Sequence, residues 1–275
     1  VFLEDLFLLG VRVVKDQEVK ILSNIQVSER YWHMVVDASG LASDVEPGQF
    51  FYIDCGQENE SFLRRPFSVY RINQDDQTLE FLYLTKGLGT QALTKLKQGE
   101  TVRSFGPLGQ GFSLQEDAQK ILLLARGVGI ATLAALAQEA SKKGVQCAAI
   151  LSARSHNDLL AAEMLQGFGA EVHKVTEEDG TSDVENVRDI IEDITARHNI
   201  DAAYTCGSRR LSRLLQDITS KKDIPAEIAL EEHMGCAMGV CYACVCDVVE
   251  DDEIRTVRVC LEGPVFPLQK VMMQP

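Results

Sequence analysis

The sequence predicts a multi-domain chain in three parts: an N-terminal antiparallel β-barrel, an α/β domain on a parallel sheet, and a small cysteine-rich C-terminal domain. Three observations predict it. Short apolar runs separated by polar turns fill residues 18–101; after the glycine-rich GPLGQGF (Gly106 to Phe112) strand-like and helix-like segments alternate; and five of the eight cysteines lie between positions 236 and 260. The expected boundaries are 18–114, 115–224 and 225–275.

The bulk numbers agree. A chain of 275 residues that is 45% apolar can bury two domains or one large one. Lys plus Arg is 27 against 41 for Asp plus Glu, a net charge of −14 with a pI near 4.8, so the surface repels phosphate backbones and nucleic acid is not an expected partner. No stretch reaches the roughly 18 apolar residues of a membrane span, and the run VFLEDLFLLG carries acids where a secretion signal needs base. A cytoplasmic protein is expected. The first 17 residues fit no motif.

In the barrel, the strand candidates are VKILSNIQV (from Val19), YWHMVVDA (from Tyr31), QFFYIDCG (from Gln49), FSVYRI (from Phe67) and TLEFLYL (from Thr78), with one helix at Thr90 to Leu96. In the second part, the runs ILLLA (Ile121), VQCAAIL (Val145), EVHKV (Glu171), DAAYTC (Asp201) and AEIALE (Ala226) alternate with four amphipathic segments. That order argues for a parallel sheet with helices on both faces, whose ligands sit at the carboxyl ends of the strands. The residues from Glu231 onward hold too little apolar material for a core of their own.

Cys236, Cys241, Cys244 and Cys260 give the spacing C-x4-C-x2-C-x15-C, which follows the plant-type ferredoxin order. Two sulfide-bridged irons need four thiolates around a flat core, so a tight loop wraps one side and a fourth ligand arrives from elsewhere. The competing reading is structural zinc, for which paired C-x2-C knuckles are usual; here only one exists. Cys246 is a spare thiol. His233 lacks the second histidine of a Rieske-type site.

Three further motifs each have a functional and a bland reading. In RRPFSVY (Arg64 to Tyr70), an Arg and a Ser three residues apart can hold a pyrophosphate, or the Arg can simply be solvated. In ILLLARGVGIATLAAL, the Gly127-x-Gly129 turn between strand and helix can admit a dinucleotide or serve packing alone. Cys206-Gly207, ending the run DAAYTC, lies where a nicotinamide would approach a flavin, or is a buried thiol beside a turn.

Together these segments resemble the ferredoxin-NADP reductase superfamily, and within it the electron-transfer subunits of class 1B dihydroorotate dehydrogenase. The matching stretches are PGQF (Pro47), RPFS (Arg65), GLGT (Gly87), GPLGQGF, GVGIATL (Gly127), Cys206-Gly207, the four cysteines and CLEGPVF (Cys260). The resemblance implies FAD, a 2Fe-2S cluster and NAD(P) as cofactors. It implies that Arg65, Pro66, Phe67 and Ser68 hold the flavin, that Leu82, Tyr83 and Leu84 also touch it, and that Gly89 and Thr90 lie near its phosphates. Gly127, Gly129, Cys206 and Gly207 would face the nicotinamide dinucleotide, with Cys206 at the reacting ring. The four cysteines would bind the cluster.

The implied function is electron transfer between NAD(H) and a catalytic flavoprotein partner in a hetero-oligomer, an FMN-containing dihydroorotate dehydrogenase of pyrimidine biosynthesis. The alternatives are a reductase subunit of another flavin or iron-sulfur oxidoreductase, and a redox-inactive zinc-bearing binding module. The chain departs from the family at Ala125 and Arg126, where glycines are common, and at Thr132 and Ser208, where a proline is common. Arg126 adds a cation at the dinucleotide turn, and Arg154 follows the second strand where a cation can favour a 2′-phosphate, so NADH and NADPH both stay open.

Overall fold

The computed structural model describes residues 14–56 and 62–273. The expectations for VFLEDLFLLG lie outside the described residues.

The N-terminal sheet has seven strands: β1 (Lys15–Gln26), β2 (Tyr31–Asp37), β3 (Phe50–Ile53), β4 (Arg65–Ser68), β5 (Arg71–Asn73), β6 (Thr78–Leu84) and β7 (Thr101–Leu108). They run in the order β4-β3-β7-β1-β2-β6-β5, and each neighbouring pair is antiparallel. All seven contribute to one interior, through Val19, Ile21, Met34, Phe51, Ile53, Phe67, Ile72, Phe81, Tyr83 and Val102, so the sheet curls around its own core. A short helix, α1 (Leu88–Leu93), follows β6 and starts two residues before its expected position.

Two details differ from the sequence reading. FSVYRI is not one strand: the chain leaves β4 after Ser68 and re-enters as β5 at Arg71, at the opposite edge of the sheet. Strand β7 was not expected, because Gly106 and Pro107 within it read as loop.

The second sheet contains β8 (Lys120–Arg126), β9 (Gln146–Ala153), β10 (Glu171–Thr176), β11 (Ala202–Cys206) and β12 (Ala226–Ala229), all parallel. Between them run α2 (Ile130–Lys142), α3 (Ala162–Gly167), α4 (Val184–Arg197) and α5 (Arg209–Lys222). Strand alternation explains the layering. Ile121, Leu123, Ala149 and Tyr204 pack with α2 and α3 on one face, while Leu122, Leu124, Ile150 and Ala203 pack with α4 and α5 on the other. A parallel sheet buried on both faces needs such continuous apolar runs. The Asp183 carboxylate caps α4 by accepting from the Asn186 amide at 2.9 Å.

The C-terminal part forms a loop, a hairpin of β13 (Val245–Glu250) and β14 (Glu253–Arg258), and β15 (Val265–Pro267). β15 adds antiparallel to the β12 edge of the parallel sheet, pairing Ala229 with Val265 and Ile228 with Phe266. The expected boundary after residue 224 therefore cuts through a sheet, because the last segment borrows an edge that already exists. It also borrows a core: Ala237, Cys244, Val248, Val257, Val259 and Cys260 join the face that holds Leu122, Leu215 and Ile228. Among the described residues no helix is long and apolar enough to cross a membrane.

Candidate functional site: two cofactor cradles and a dinucleotide turn

The sequence motifs meet where the three parts touch. Gln49 of PGQF is fully buried; its side chain accepts from the Glu46 amide at 2.8 Å and donates to the Gly109 carbonyl at 3.0 Å. The Gln110 amide in turn donates to the Gly263 carbonyl at 2.6 Å. PGQF, GPLGQGF and CLEGPVF are thus one junction, which ties the barrel to the cysteine segment.

Around the four cysteines the backbone winds tightly. Ala237, Gly239 and Tyr242 all have φ between 56° and 78°, which turns amides toward the loop interior. Burial raises the Cys236 thiol, but hydrogen bonds from the amides of Met238, Cys241 and Val240 and from the Cys241 side chain outweigh it and bring it down to about 7. Burial pushes Cys260 up to about 12, and the adjoining Cys244 thiol adds to that rise. The Cys260 amide donates to the Cys244 sulfur at 3.5 Å.

Cys236 and Cys241 thus share a side-chain hydrogen bond, as do Cys244 and Cys260. Among the described residues no three His, Cys, Asp or Glu side chains converge on a single-ion site. A two-iron core asks its ligands for such a division, two thiolates per iron, whereas tetrahedral zinc needs them to meet at one point. The donor set fits a 2Fe-2S cluster. Cys244 and Cys260 are buried, while Cys241 is exposed amid Met238, Val240 and Tyr242, whose apolar side chains also reach solvent. Cys246 points elsewhere, lining a cavity of about 330 Å³ with Asp247, Arg209 and Glu232.

The predicted flavin residues occupy β4, the end of β6 and α1. Phe67 and Tyr83 turn into the barrel and meet edge to face at 5.6 Å, and the Tyr83 hydroxyl donates to Asn24 Oδ1 at 3.0 Å. Their side chains are committed to the core, so only their backbones remain for a ligand. Leu82 faces the other way, into the core shared with Ala125, Cys206 and Val265. The Thr90 hydroxyl accepts from the amides of Lys86 and Gly87 and so shapes the GLGT loop itself.

Sequence reasoning missed Thr85. Its hydroxyl, at the end of β6 between Leu84 and Lys86, is buried without a partner. A buried hydroxyl left unbonded costs stability, and a bound molecule reaching the end of β6 would supply what it lacks. Arg65 lies on the edge strand with its guanidinium bonded to the carbonyls of Leu63 (2.6 Å) and Arg64 (3.0 Å). These residues fit a flavin nucleotide, which Arg65 and Thr85 would help to hold.

The dinucleotide turn is a 3-10 turn at Gly127–Gly129 leading into α2, beside the carboxyl end of β11. Its glycines answer to close approach. A Cβ on Gly129 would stand 2.5 Å from the Cys206 carbonyl oxygen, and one on Gly207 would collide with the Arg126 carbonyl; Gly207 also has φ +97°. Tyr31 of the barrel lies beside Gly127, so the barrel wall flanks the turn.

Cys206 is buried, with its sulfur 3.9 Å from Glu231 Oε1. Burial first, then the Glu231 charge, pushes its thiol far above the ordinary range. Desolvation raises the Glu231 carboxyl as well, against the Cys206 hydrogen bond and the Lys86 charge. Arg126 reaches across the strand ends, donating to Ser152 Oγ at 2.7 Å and pairing with Glu177.

A family profile described as the iron-sulfur cluster binding domain of dihydroorotate dehydrogenase B matches residues 231–272. The dihydroorotate dehydrogenase B (NAD(+)) electron transfer subunit of Desulforamulus reducens is 31% identical over 257 residues, covering 94% of this chain and 98% of that protein. The protein of the same description from Caldanaerobacter subterraneus subsp. tengcongensis is 33% identical over 255 residues, covering 93% and 98%. Among solved structures, an NADH-dependent reduced ferredoxin-NADP oxidoreductase superposes with a TM-score of 0.78 at 21% identity, over 93% of this chain and 90% of that one. The ferredoxin-NADP+ reductase of Plasmodium falciparum superposes with a TM-score of 0.62 at 17% identity, over 78% and 96%. Those two likenesses establish the fold, and the relatives establish more: this chain belongs to the family of dihydroorotate dehydrogenase B (NAD(+)) electron transfer subunits.

Proposed function

We propose that the chain carries electrons between NAD(H) and a catalytic partner subunit, a dihydroorotate dehydrogenase, through FAD and a 2Fe-2S cluster. The observation that carries this reading is the cysteine loop, in which the Met238 amide bonds the Cys236 sulfur and the Cys260 amide the Cys244 sulfur, joined through the Tyr52 hydroxyl to the strand next to Arg65 to Ser68. When bound, a flavin exchanges electron pairs with nicotinamide and a 2Fe-2S cluster exchanges them singly, so the two in series convert one currency to the other.

The chain's residues hold and orient. The Gly127–Gly129 turn and the N-terminus of α2 accept a pyrophosphate, where amides and the helix dipole favour negative charge. Cys206 meets the nicotinamide as a neutral thiol, because burial keeps it protonated at physiological pH. It excludes water and fixes the ring, and neither it nor Glu231 is asked to transfer a proton. The apolar rim of Met238, Val240 and Tyr242 around Cys241 supplies the surface against which the partner seats.

The cofactor preference we infer is NAD(H). The Glu177 and Glu178 amides bond to the carbonyls of Ala153 and Arg154, and His156 pairs with Asp179 at 2.9 Å. The His156 amide donates to the Glu178 carboxylate at 3.2 Å, and Glu177 already pairs with Arg126, so the segment facing Arg154 gathers negative charge where a 2′-phosphate would need positive. Anaerobic purification with iron, sulfide and flavin analysis tests the relay, followed by titration with NADH and NADPH. The expected result is a brown-yellow protein bleached by NADH in preference to NADPH, which co-purifies with the catalytic subunit. Colourless protein with stoichiometric zinc would overturn it.

A further inference from the structure

Tyr52 lies in β3, opposite Pro66 of the flavin strand on one side and Phe105 of β7 on the other. Strand alternation sends Phe51 and Ile53 into the barrel and Phe50 and Tyr52 out of it. An outward position on a barrel is ordinarily wet. This one is 5% exposed, and it belongs to the apolar core that also takes in Ala237, Cys244 and Cys260.

The hydroxyl of Tyr52 reaches the carbonyls of Met234 at 3.3 Å and Gly235 at 3.1 Å. Those are the last two carbonyls before Cys236. One O–H proton shared between consecutive carbonyls fixes the direction in which the chain enters the cysteine loop. Burial raises the Tyr52 phenol, the charges of Arg65 and Arg64 oppose that rise, and those of Cys236 and Cys241 add to it. The side chain stands between the two cradles.

We propose that Tyr52 is a positioning residue, holding the Cys236 side of the cluster loop at a fixed separation from the flavin strand and so setting the rate of electron transfer between the two. The inference rests on the FAD and 2Fe-2S reading given above. In the step concerned, one electron leaves reduced flavin and one is gained by oxidised cluster; no bond forms or breaks at Tyr52, which keeps its proton throughout. A side chain that only filled space would do as well without its hydroxyl. One that aims a loop would not, because the rate at which an electron tunnels between two centres falls steeply as the distance between them grows.

The test is Tyr52→Phe in the full chain with its cofactors, because this change keeps the ring and removes only the O–H. FAD, iron and sulfide contents and the rate of flavin reduction by NADH are expected to stay at wild-type levels. Bleaching of the cluster by NADH in stopped flow should slow by roughly tenfold, and the EPR signal of the reduced cluster should broaden as the loop samples several positions. A variant that folds and keeps FAD but sheds its cluster overturns the proposal, because the hydroxyl would then retain the cluster rather than set its distance from the flavin. Unchanged cluster bleaching, or slowing only in step with flavin reduction, overturns the proposal. Wild-type protein devoid of flavin and iron would instead overturn the functional reading beneath it.

Discussion

The parallel sheet and the cysteine segment share one apolar face yet are held together by different means. The sheet is self-sufficient: Leu122, Leu124, Ile150 and Ala203 are sealed by Val187, Ile191, Leu211 and Leu215 from two helices. The cysteine segment contributes a hairpin whose Ile254 is exposed, and a loop whose turns rest on residues in the left-handed region. Such a loop is costly unless something pulls its amides inward. The contrast teaches where this fold depends on its metal and where it does not.

Changing single thiols breaks the comparison most sharply. Cys244→Ser removes one member of the buried pair and is expected to abolish iron and sulfide binding, while Cys246→Ser leaves both at wild-type levels. Metal and sulfide assays on the two purified variants decide between them. The opposite pattern would reassign the ligands.

Stripping the cluster from wild-type protein sharpens the same contrast. Hydrogen exchange should lose protection across residues 232–262 and keep it in β8, β9, β11, α2 and α5, since metal binding organises only the former. Uniform loss of protection would mean that the sheet also leans on the cluster.

Within the sheet, Gly129→Ala pushes a methyl group against the Cys206 carbonyl, 2.5 Å away by ideal geometry. Overpacking of this kind costs about 2 kcal/mol, to be read from urea denaturation. NADH affinity should fall as the turn shifts, with FAD and iron retained. Equal loss of all three would show that the turn serves the fold as a whole.

The smallest effect concerns acid. The Arg197 guanidinium, with help from His173 and against some desolvation, holds the Glu171 carboxyl down to about 2. A depressed carboxylate stabilises the fold fully above its unfolded pKa, roughly 4.3, and loses that contribution as pH falls through the folded value. Glu171→Gln should therefore cost under about 1 kcal/mol at pH 7, given solvent screening, and progressively less as pH falls from the unfolded value toward and below about 2. Thermal melts at several pH values check the sign.

Much of this was legible in the sequence. The strand TLEFLYL and the helix RRLSRLLQDITSKK are found at their expected residues, Thr78–Leu84 and Arg209–Lys222, because an apolar period and flanking polar residues mark both ends. The cysteine spacing pointed to two irons, and the pairing of the thiols fits it. Other features depend on contacts between distant residues. Nothing local marks Thr85 as an orphaned hydroxyl or Tyr52 as the side chain that crosses to Gly235. The resemblance implied that Phe67 and Tyr83 touch the flavin, but strand alternation turns both side chains inward, where they pack edge to face in the barrel core. The hairpin of β13 and β14 was hidden because its strands are mostly exposed and carry little apolar pattern.

One rung of the parallel sheet anchors both ends of the cysteine segment. Ala229 pairs with Val265, and the Leu230 amide donates to the Pro264 carbonyl at 2.9 Å, so the chain departs and comes home at the same point. Residues 231–263 are an excursion pinned at its neck. Because both ends meet on one rung, a rearrangement inside the excursion need not change the distance between its two anchor points, and the edge of the parallel sheet keeps its register while the loop adjusts.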